Sequence, residues 1–480
     1  MTTSIRAAGS DRLSSATITA AYYLLGAWTF YLLLAPTTGF SWIESWHNEQ
    51  RAVQIVLLVL TALLTAVLTV FARDAVRARL QFPVWWWVFV AMGVVSALAS
   101  QVPFAAFAEV ALFVLLSTLV TLTATLTAWR PERMTQAARY GALLIAGAHV
   151  LSVLVRYGAS LDVGKGMDLS VFMLGYANPR FASALYAVLM PFVAAVATDT
   201  RERRLLRAVA FTALCALWTI NLGLGTRGIW FAYLVAVPLV SLVFGIRSIV
   251  RIVGVIATAA AVGLALFLTI TAASPSEVGT SGSLAVPTER LQSLTSREVL
   301  WGLSWDAITT NPLLGLGPMH FAALQSHVGA HPHNWPLQMA SEWGLPALAT
   351  LLFVLIRALL RARSGLLSET PGGINAALAM AVALAYGLVD GNLVMPVSQT
   401  AVALIIGLTL GSFTALPGPR QFFGWREAAN LTLTIASAVV IVSYSVPSLE
   451  DQARTKLIFR TDYPGEWLTP RFWEQGLLFQ

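Results

Sequence analysis

The chain has 480 residues, of which 57% are hydrophobic and only 11% are charged. A mean hydropathy of +0.72 excludes an ordinary water-soluble domain of this length and is typical of an all-α, polytopic integral membrane protein. The formal net charge of +7 does not indicate a nucleic-acid-binding protein, because the arginines lie in short clusters between apolar runs. The single cysteine, Cys215, lies within an apolar run and supports neither a disulfide framework nor a thiolate metal site.

Thirteen apolar segments are long enough to span a hydrocarbon core of about 30 Å. The first is too long for the apolar region of a signal peptide and lacks a small-residue cleavage site, which indicates an uncleaved first helix. We therefore expect about 12–13 transmembrane helices and one long polar loop that contains short helices. The segments lie near residues 17–37, 53–71, 83–100, 103–128, 138–157, 181–198, 207–223, 228–245, 250–272, 337–360, 373–392, 396–414 and 428–447.

Basic residues alternate along the connections between these segments. Nineteen of the 30 basic residues lie on alternate connections, which predicts that those connections and the N-terminus are cytoplasmic. The long loop and the C-terminal tail then lie outside, in the periplasm of a Gram-negative cell. The predicted regions are an N-terminal bundle of about nine helices (1–272), a periplasmic loop (273–336), C-terminal transmembrane helices (337–447) and a periplasmic tail (448–480).

The polar loop ends in a histidine-containing stretch, Ala330–Leu337, that opens the next apolar helix. Four of the six histidines lie in the loop or at its end: His320, His327, His331 and His333. Pro336 suits the first turn of a helix, so His333 and Asn334 are expected at or just before the helix N-terminus. Unpaired N–H groups and the helix dipole there favour a bound anion and disfavour a cationic imidazole, so His333 could act as a neutral base. A helix cap without chemistry is the alternative interpretation of His333.

Three arginines are candidates for the same outer face. Arg227 lies in a glycine-rich break, 223–228, on the side where the topology rule does not require arginine, and its glycines allow a ligand to approach the backbone. Arg297 opens an amphipathic helix, and Arg180 opens another span on that side. Guanidinium groups bind phosphate in fork geometry, so converging arginines suit a phosphate or a diphosphate. The alternatives are a solvent-exposed or intrahelically paired Arg297 and an Arg180 that extends to the lipid headgroups.

Other polar positions favour structural roles. A charged residue within a span is a functional candidate by default, but for Glu109, Asp390 and His149 we expect structural hydrogen bonds and helix contacts. The turn at 311–318 carries glycines where close backbone approach is expected. Acidic residues near the loop histidines are scattered, so we expect no metal site.

An ordered set of these features resembles a known family. Arg227 at a short outer turn is followed by Arg297 and by the glycine-rich turn at 312–318, and then by His331-Pro332-His333-Asn334 with Glu342 and Gly344. In order and spacing, over about 120 residues, this set resembles the O-antigen ligase and Wzy-type O-antigen polymerase superfamily. Its members are bacterial membrane glycosyltransferases with a GT-C-like fold.

The resemblance implies an enzyme of the bacterial inner membrane with its active site in the long loop, facing the periplasm. It would transfer a glycan from undecaprenyl diphosphate to a lipid A–core sugar, with inversion and without a metal or cofactor. The periplasm has no ATP, so the energy must arrive in the diphosphate leaving group, whose charge arginines can neutralise. By the resemblance, Arg227 and Arg297 hold the diphosphate and His333 deprotonates the acceptor hydroxyl. The further substrate-binding residues would be Arg180, Asn334, Glu342 and His331.

The chain departs from the family in two respects. Trp335-Pro336 follows the His-Asn pair in place of small glycine-spaced residues, and an aromatic-rich outer tail follows a thirteenth span where the family has twelve. The acceptor stays open, because a polymerase would use another lipid-linked repeat and a pilin O-oligosaccharyltransferase would use a protein hydroxyl. A transporter of lipid-linked glycan is the non-enzyme alternative; it would not require so long an outer loop, and clear inverted repeats are not visible.

Overall fold

The computed structural model describes residues 2–37, 43, 45–71, 80, 82–162, 175–178, 180–273, 288–324, 326, 328–364, 371–413, 424–462, 468–476 and 478. His327, the first part of the long loop and the tail aromatics Tyr463 and Trp467 lie outside the described residues. The described residues form sixteen α-helices and one 3₁₀-helix, His320–Leu324, and they contain no β-strand. The α-helices are α1 (Thr2–Leu34), α2 (Trp46–Phe71), α3 (Val84–Leu98), α4 (Pro103–Trp129), α5 (Pro131–Asp162), α6 (Arg180–Thr198), α7 (Arg204–Gly223), α8 (Gly228–Phe244), α9 (Ile246–Ala273), α10 (Thr288–Thr310), α11 (Trp335–Trp343), α12 (Leu345–Ser364), α13 (Pro371–Tyr386), α14 (Pro396–Phe413), α15 (Trp425–Glu450) and α16 (Gln452–Asp462).

A helix lies at every one of the thirteen predicted apolar segments. Within the described part of the chain, nine helices are long and apolar enough to cross a membrane, and α3, α8, α12 and α13 are shorter apolar helices. The all-α, polytopic fold class is therefore confirmed, and the chain is a multi-pass membrane protein. The helix predicted to open at Arg297 begins earlier, at Thr288, so that prediction is wrong about the start and Arg297 lies within α10.

The helices divide into central and peripheral members according to how much of each is covered by protein. In the apolar stretch of α6, 89% of the residues are buried inside the molecule, whereas the fraction is 28% in the apolar stretches of α1, α5 and α9. The peripheral helices expose leucine, valine and aromatic side chains on their outer faces. Such a surface matches lipid, because hydrocarbon tails solvate apolar side chains without cost.

Close packing of α4 against α14 depends on two glycines one helical turn apart, Gly407 and Gly411. A Cβ atom at Gly411 would lie 2.5 Å from the carbonyl oxygen of Ala124, and one at Gly407 would lie 2.6 Å from the Cβ of Thr123. The G-x-x-x-G spacing places both glycines on one face of α14, so the two backbones can approach each other closely. Van der Waals contact at this seam holds two central helices together in a solvent that supplies little hydrophobic driving force.

The segment predicted as one span at 337–360 is divided into two helices, and this correction has a local cause. Gly344 has a φ of 88°, which ends α11 before α12 begins. The glycine-rich turn after α10 packs into the break: the N–H of Gly317 donates to the Glu342 carbonyl (2.9 Å), and the N–H of Leu345 donates to the Pro312 carbonyl (2.9 Å). The glycines of that turn therefore approach protein backbone. The sequence around the break contains Glu342, Gly344 and Pro346, although the segment as a whole is apolar.

The long loop and the C-terminal tail meet at one end of the bundle. A Cβ atom at Gly476 of the tail would lie 3.0 Å from the Cβ of Ala330, and the N–H of Leu478 lies 3.4 Å from the carbonyl oxygen of Ala322. Four apolar helices, α12 to α15, separate the loop from the tail. An even number of crossings returns the chain to the face from which it started, so this contact agrees with the predicted helix count.

Candidate active site

His333 lies between the 3₁₀-helix and α11, at the end of the long loop. Its backbone has a φ of 52°, in the left-handed region that residues other than glycine rarely adopt. Its side chain is 29% exposed, and its Nδ1 lies 3.9 Å from Oδ1 of Asp390. A partly exposed imidazole in a strained backbone position, beside a carboxylate, is an arrangement that the surrounding structure must enforce.

Asn334 is the N-cap of α11, as its position before Pro336 predicted. Its Oδ1 accepts from the N–H of Leu337 (3.0 Å), and its Nδ2 donates to the Leu388 carbonyl (3.0 Å). The N–H of Trp335 donates to the Gly387 carbonyl (2.9 Å). The prediction of unpaired N–H groups at this helix start is therefore wrong for Trp335 and Leu337, because the cap and the segment after α13 already satisfy them. These two N–H groups are therefore not available to bind an anion.

The segment after α13, residues 387–395, holds the histidine stretch from one side. Gly391 packs against His331, since a Cβ atom there would lie 2.8 Å from the imidazole Nε2. Asp390, next to it, accepts from the N–H of Gly391 (2.6 Å) and faces His333. The sequence identified Asp390 only as a polar residue within a span. Its one signal was a carboxylate followed by glycine after an apolar run, and nothing local connects it with a histidine 57 positions earlier.

Arg227 lies at the N-terminus of α8, and its side chain is exposed. The adjacent Gly228 packs against Tyr386, whose ring would lie 3.2 Å from a Cβ atom at that glycine. Tyr386 is the last residue of α13, directly before the segment that holds His333. Among the residues that the structure describes, none forms an ion pair or hydrogen bond with the Arg227 guanidinium. The turn that carries Arg227 thus lies against the same helix end as the histidine stretch.

Arg180 is the first residue of α6, and its side chain is not among the described ones. The start of α6 nevertheless lies beside the Arg227 turn, because the hydroxyls of Ser183 and Thr226 are 2.9 Å apart. The two arginines therefore begin neighbouring helices at the same end of the bundle.

Arg297 is half-buried in α10, one helical turn before Trp301. The indole Nε1 of Trp301 donates to the carbonyl of Pro332, between the two histidines, at 3.0 Å. Residues four apart share a helix face, so Arg297 lies on the side of α10 that rests on the histidine stretch. Arg227 therefore lies on a turn that contacts the end of α13, and Arg297 lies on a helix that contacts the histidine stretch. Arg180 begins a helix next to the Arg227 turn.

His331 lies inside the protein and supports its neighbour. It is 3% exposed, its ring centroid lies 4.1 Å from that of His333, and its Nδ1 accepts from the N–H of His333 at 3.3 Å. Burial lowers the pKa of His331 well below its ordinary value, and the nearby His333 acts in the same direction. A neutral His331 can keep accepting this hydrogen bond.

Glu342 is fully buried in α11 and has no surface from which to contact a substrate. Its carboxylate accepts from the Arg471 guanidinium (2.6 Å), from Gln338 (3.2 Å) and from the N–H of Phe321 (3.1 Å). Burial lowers the pKa of Arg471, but the carboxylates of Glu109 and Glu342 outweigh burial and raise it. Arg471 was not predicted as a site residue, because a contact between positions 129 residues apart is set by the tertiary fold.

One comparison with known proteins bears on this geometry. The family model described as O-Antigen ligase matches residues 208–352. This part of the chain is similar to the O-antigen ligase family. No curated protein matches the chain.

The ligase-family match confirms the resemblance seen in the sequence and covers Arg227, Arg297 and His333. Arg180 and Asp390 lie outside the matched residues, on either side of them. This similarity supports a glycosyltransferase-like function in O-antigen processing at a membrane.

Proposed function

We propose that this protein is an O-antigen ligase of the bacterial inner membrane, with its active site facing the periplasm. It transfers an undecaprenyl-diphosphate-linked glycan to a sugar hydroxyl of lipid A–core. The observation that carries the proposal is the convergence, around the end of α13, of the His333–Asp390 pair and the elements that bear Arg227 and Arg297. The family match covers three of these four residues.

His333 is the base in this proposal. Asp390 faces Nδ1, which leaves Nε2 to accept the proton of the acceptor hydroxyl. The hydroxyl oxygen forms a bond to the anomeric carbon of the glycan while its proton passes to His333. The Asp390 carboxylate then stabilises the imidazolium, as a carboxylate does in other histidine-based sites. Attack opposite the leaving group inverts the anomeric centre.

Arg227 and Arg297 take the charge of the leaving group. The bond between the anomeric carbon and the diphosphate oxygen breaks, and its electron pair leaves with undecaprenyl diphosphate. The two positive guanidinium groups stabilise that charge as it develops, which is the electrostatic contribution expected of such a site. The scheme needs no metal, so transfer is expected to persist in EDTA; strict dependence on an added divalent cation would contradict it.

The other predicted site residues act through these. Asn334 fixes the start of α11, His331 holds the backbone of His333, and Glu342 anchors α11 from inside. Arg180, at the adjacent start of α6, is proposed as a further contact to the donor.

A deletion strain analysed by lipopolysaccharide gel tests the proposed acceptor. Loss of all long O-chains together with accumulation of lipid-linked polymer is the expected result. Lipid A–core carrying a single repeat would identify a polymerase instead, and an unchanged gel would contradict both. In the last case, loss of pilin glycosylation would identify a protein acceptor. Loss of long O-chains with unprocessed donor trapped on the cytoplasmic face would identify a transporter.

A further inference from the structure

The C-terminal tail does not end as a free segment after α16. Residues 468–476 return to the bundle, where Arg471, Phe472 and Trp473 are each no more than 3% exposed. Chain termini are ordinarily poorly ordered unless specific contacts hold them. Burial of two aromatic side chains and a guanidinium indicates that this segment is part of the folded core at the outer end.

Arg471 joins the tail to two helices by ion pairs, of which the one with Glu342 is fully buried and the one with Glu109 is partly exposed. Its guanidinium lies 2.6 Å from Glu342 of α11 and 3.1 Å from Glu109 of α4. Loss of one partner from a buried pair leaves an uncompensated charge, so such contacts fix geometry strongly. Through Glu342, the tail therefore holds the helix whose N-cap follows His333.

A second buried arginine joins the tail to the segment that contains Asp390. Arg51 of α2 donates to the Phe472 carbonyl (3.2 Å) and to the Val394 carbonyl (2.6 Å). The aromatic ring of Phe472 also lies 5.2 Å from the Arg51 guanidinium carbon. The tail and the Asp390 segment thus share one buried cation.

The far end of the tail contacts the histidine stretch itself. Gly476, with a φ of 73°, packs beside Ala330, two residues before Pro332. The tail consequently contacts the segment 330–342 directly and is linked to the segment 391–394 through the Arg51 guanidinium of α2. These two segments set the His333–Asp390 distance, so the tail is tied to both of them.

We infer that residues 469–476 are a positioning element for His333, with Arg471 as its central positioning residue. The inference rests on the proposed function. His333 occupies a strained backbone conformation, and its partner carboxylate comes from a separate part of the chain. Misplacement of a base by about 1 Å can cost about 100-fold in rate. A segment that fixes the position of His333 therefore has a direct effect on the rate of transfer.

The test compares Arg471→Gln with Arg471→Lys and with Arg454→Gln, which removes an exposed tail arginine. Each full-length protein is assayed for transfer from undecaprenyl-diphosphate-linked oligosaccharide to rough lipopolysaccharide, well below its unfolding temperature. Arg471→Gln is expected to lower kcat by about tenfold or more with donor KM within about twofold, because the arginines that bind the donor are untouched. Arg471→Lys should restore part of kcat, and Arg454→Gln should match the parent.

Hydrogen–deuterium exchange gives a readout that does not depend on the assigned reaction. Arg471→Gln is expected to increase exchange in 329–334 and 387–395, and Arg454→Gln is not. Unchanged exchange in these segments, or increased exchange with the parent kcat, would overturn the inference. Transfer that survives His333→Gly in the otherwise intact chain would instead overturn the proposed function, while the exchange data would still decide whether the tail braces the stretch.

A second variant covers the case in which Arg471→Gln fails to insert into the membrane. Gly476→Val strains the tail, because a side chain at this positive-φ position would meet the Thr469 carbonyl and then Ala330, and it leaves every buried charge in place. Increased hydrogen–deuterium exchange in residues 329–334 together with a reduced kcat would support the positioning role of the tail. Parent values for both would contradict it.

Discussion

At the scale of single residues, the backbone of His333 determines how its side chain can be tested. With a φ of 52°, alanine would add backbone strain to the loss of the imidazole, whereas asparagine tolerates the left-handed region better than most side chains. His333→Asn therefore removes the proposed base with the least disturbance to the stretch. The same reasoning makes glycine a second acceptable replacement.

A matched pair of variants can distinguish the proposed donor-binding role of Arg227 from the topological role of the other arginines. Arg227→Gln is expected to lower kcat/KM for the lipid-linked donor by about 100-fold, because a positive charge is lost where the leaving group develops negative charge. Arg251→Gln, which removes an exposed arginine near the start of α9, should retain parental values. Steady-state transfer by the two purified proteins provides the measurement, and equal activity would remove Arg227 from the site.

The depressed pKa of His331 gives stability a pH dependence with a defined sign. Below the ordinary imidazole pKa of about 6.5, the unfolded chain binds a proton that the folded protein does not, so the free energy of unfolding falls as pH decreases. His331→Gln should show a shallower loss of Tm between about pH 6.5 and pH 5. Some slope should remain, because burial also lowers the pKa of His320. Identical slopes would show that His331 is not the group responsible.

Among the proposed site residues, the sequence suggested those whose charge stands in an unexpected place. Arg227 at a glycine-rich outer turn and His333 before a proline-started helix were visible from local sequence. Asp390 and Arg471 were not, because each acquires its meaning from a partner more than 50 positions away in the chain. The burial of Glu342 was equally invisible, since an acidic residue beside a loop is ordinarily exposed.

At the scale of helices, the seam between α4 and α14 makes a direct prediction. Gly411→Val inserts a side chain where a Cβ atom would already lie 2.5 Å from the Ala124 carbonyl oxygen. We expect destabilisation of about 1–3 kcal/mol, as for overpacking of a tight interior. Gly254→Val is the matched control, because that glycine in α9 has no heavy atom within 4 Å of the added Cβ. Thermal unfolding in detergent measures both, and an equal Tm for the two would contradict the seam.

The positions of the helices could be predicted from hydropathy, because the bilayer requires long apolar helices. The residues at which individual helices begin and end could not be predicted in this way. The division at Gly344 was not predicted, although a glycine followed two residues later by Pro346 is a local signal for a helix break. Its cause lies in the turn after α10, which supplies hydrogen bonds to the broken ends.

At the scale of the whole molecule, the arginine pattern predicts which end faces outward. In a Cys215→Ser background, Arg454→Cys should react with a membrane-impermeant maleimide from the periplasmic side. Arg201→Cys, between α6 and α7, should react only after the membrane is opened. The reverse pattern would invert the proposed topology and place the site in the cytoplasm. Counting spans was enough to predict that the loop and the tail lie on the same side of the membrane. The contacts by which the tail positions the histidine stretch were visible only in the three-dimensional structure.

Transfer by purified His333→Asn, measured beside binding of the lipid-linked donor, tests the central claim most directly. A general base contributes about 100-fold to 10,000-fold in rate. The account predicts a fall in kcat within that range, with donor affinity unchanged because Arg227 and Arg297 remain. Near-parental kcat in a protein that binds donor normally would show that His333 is not the base.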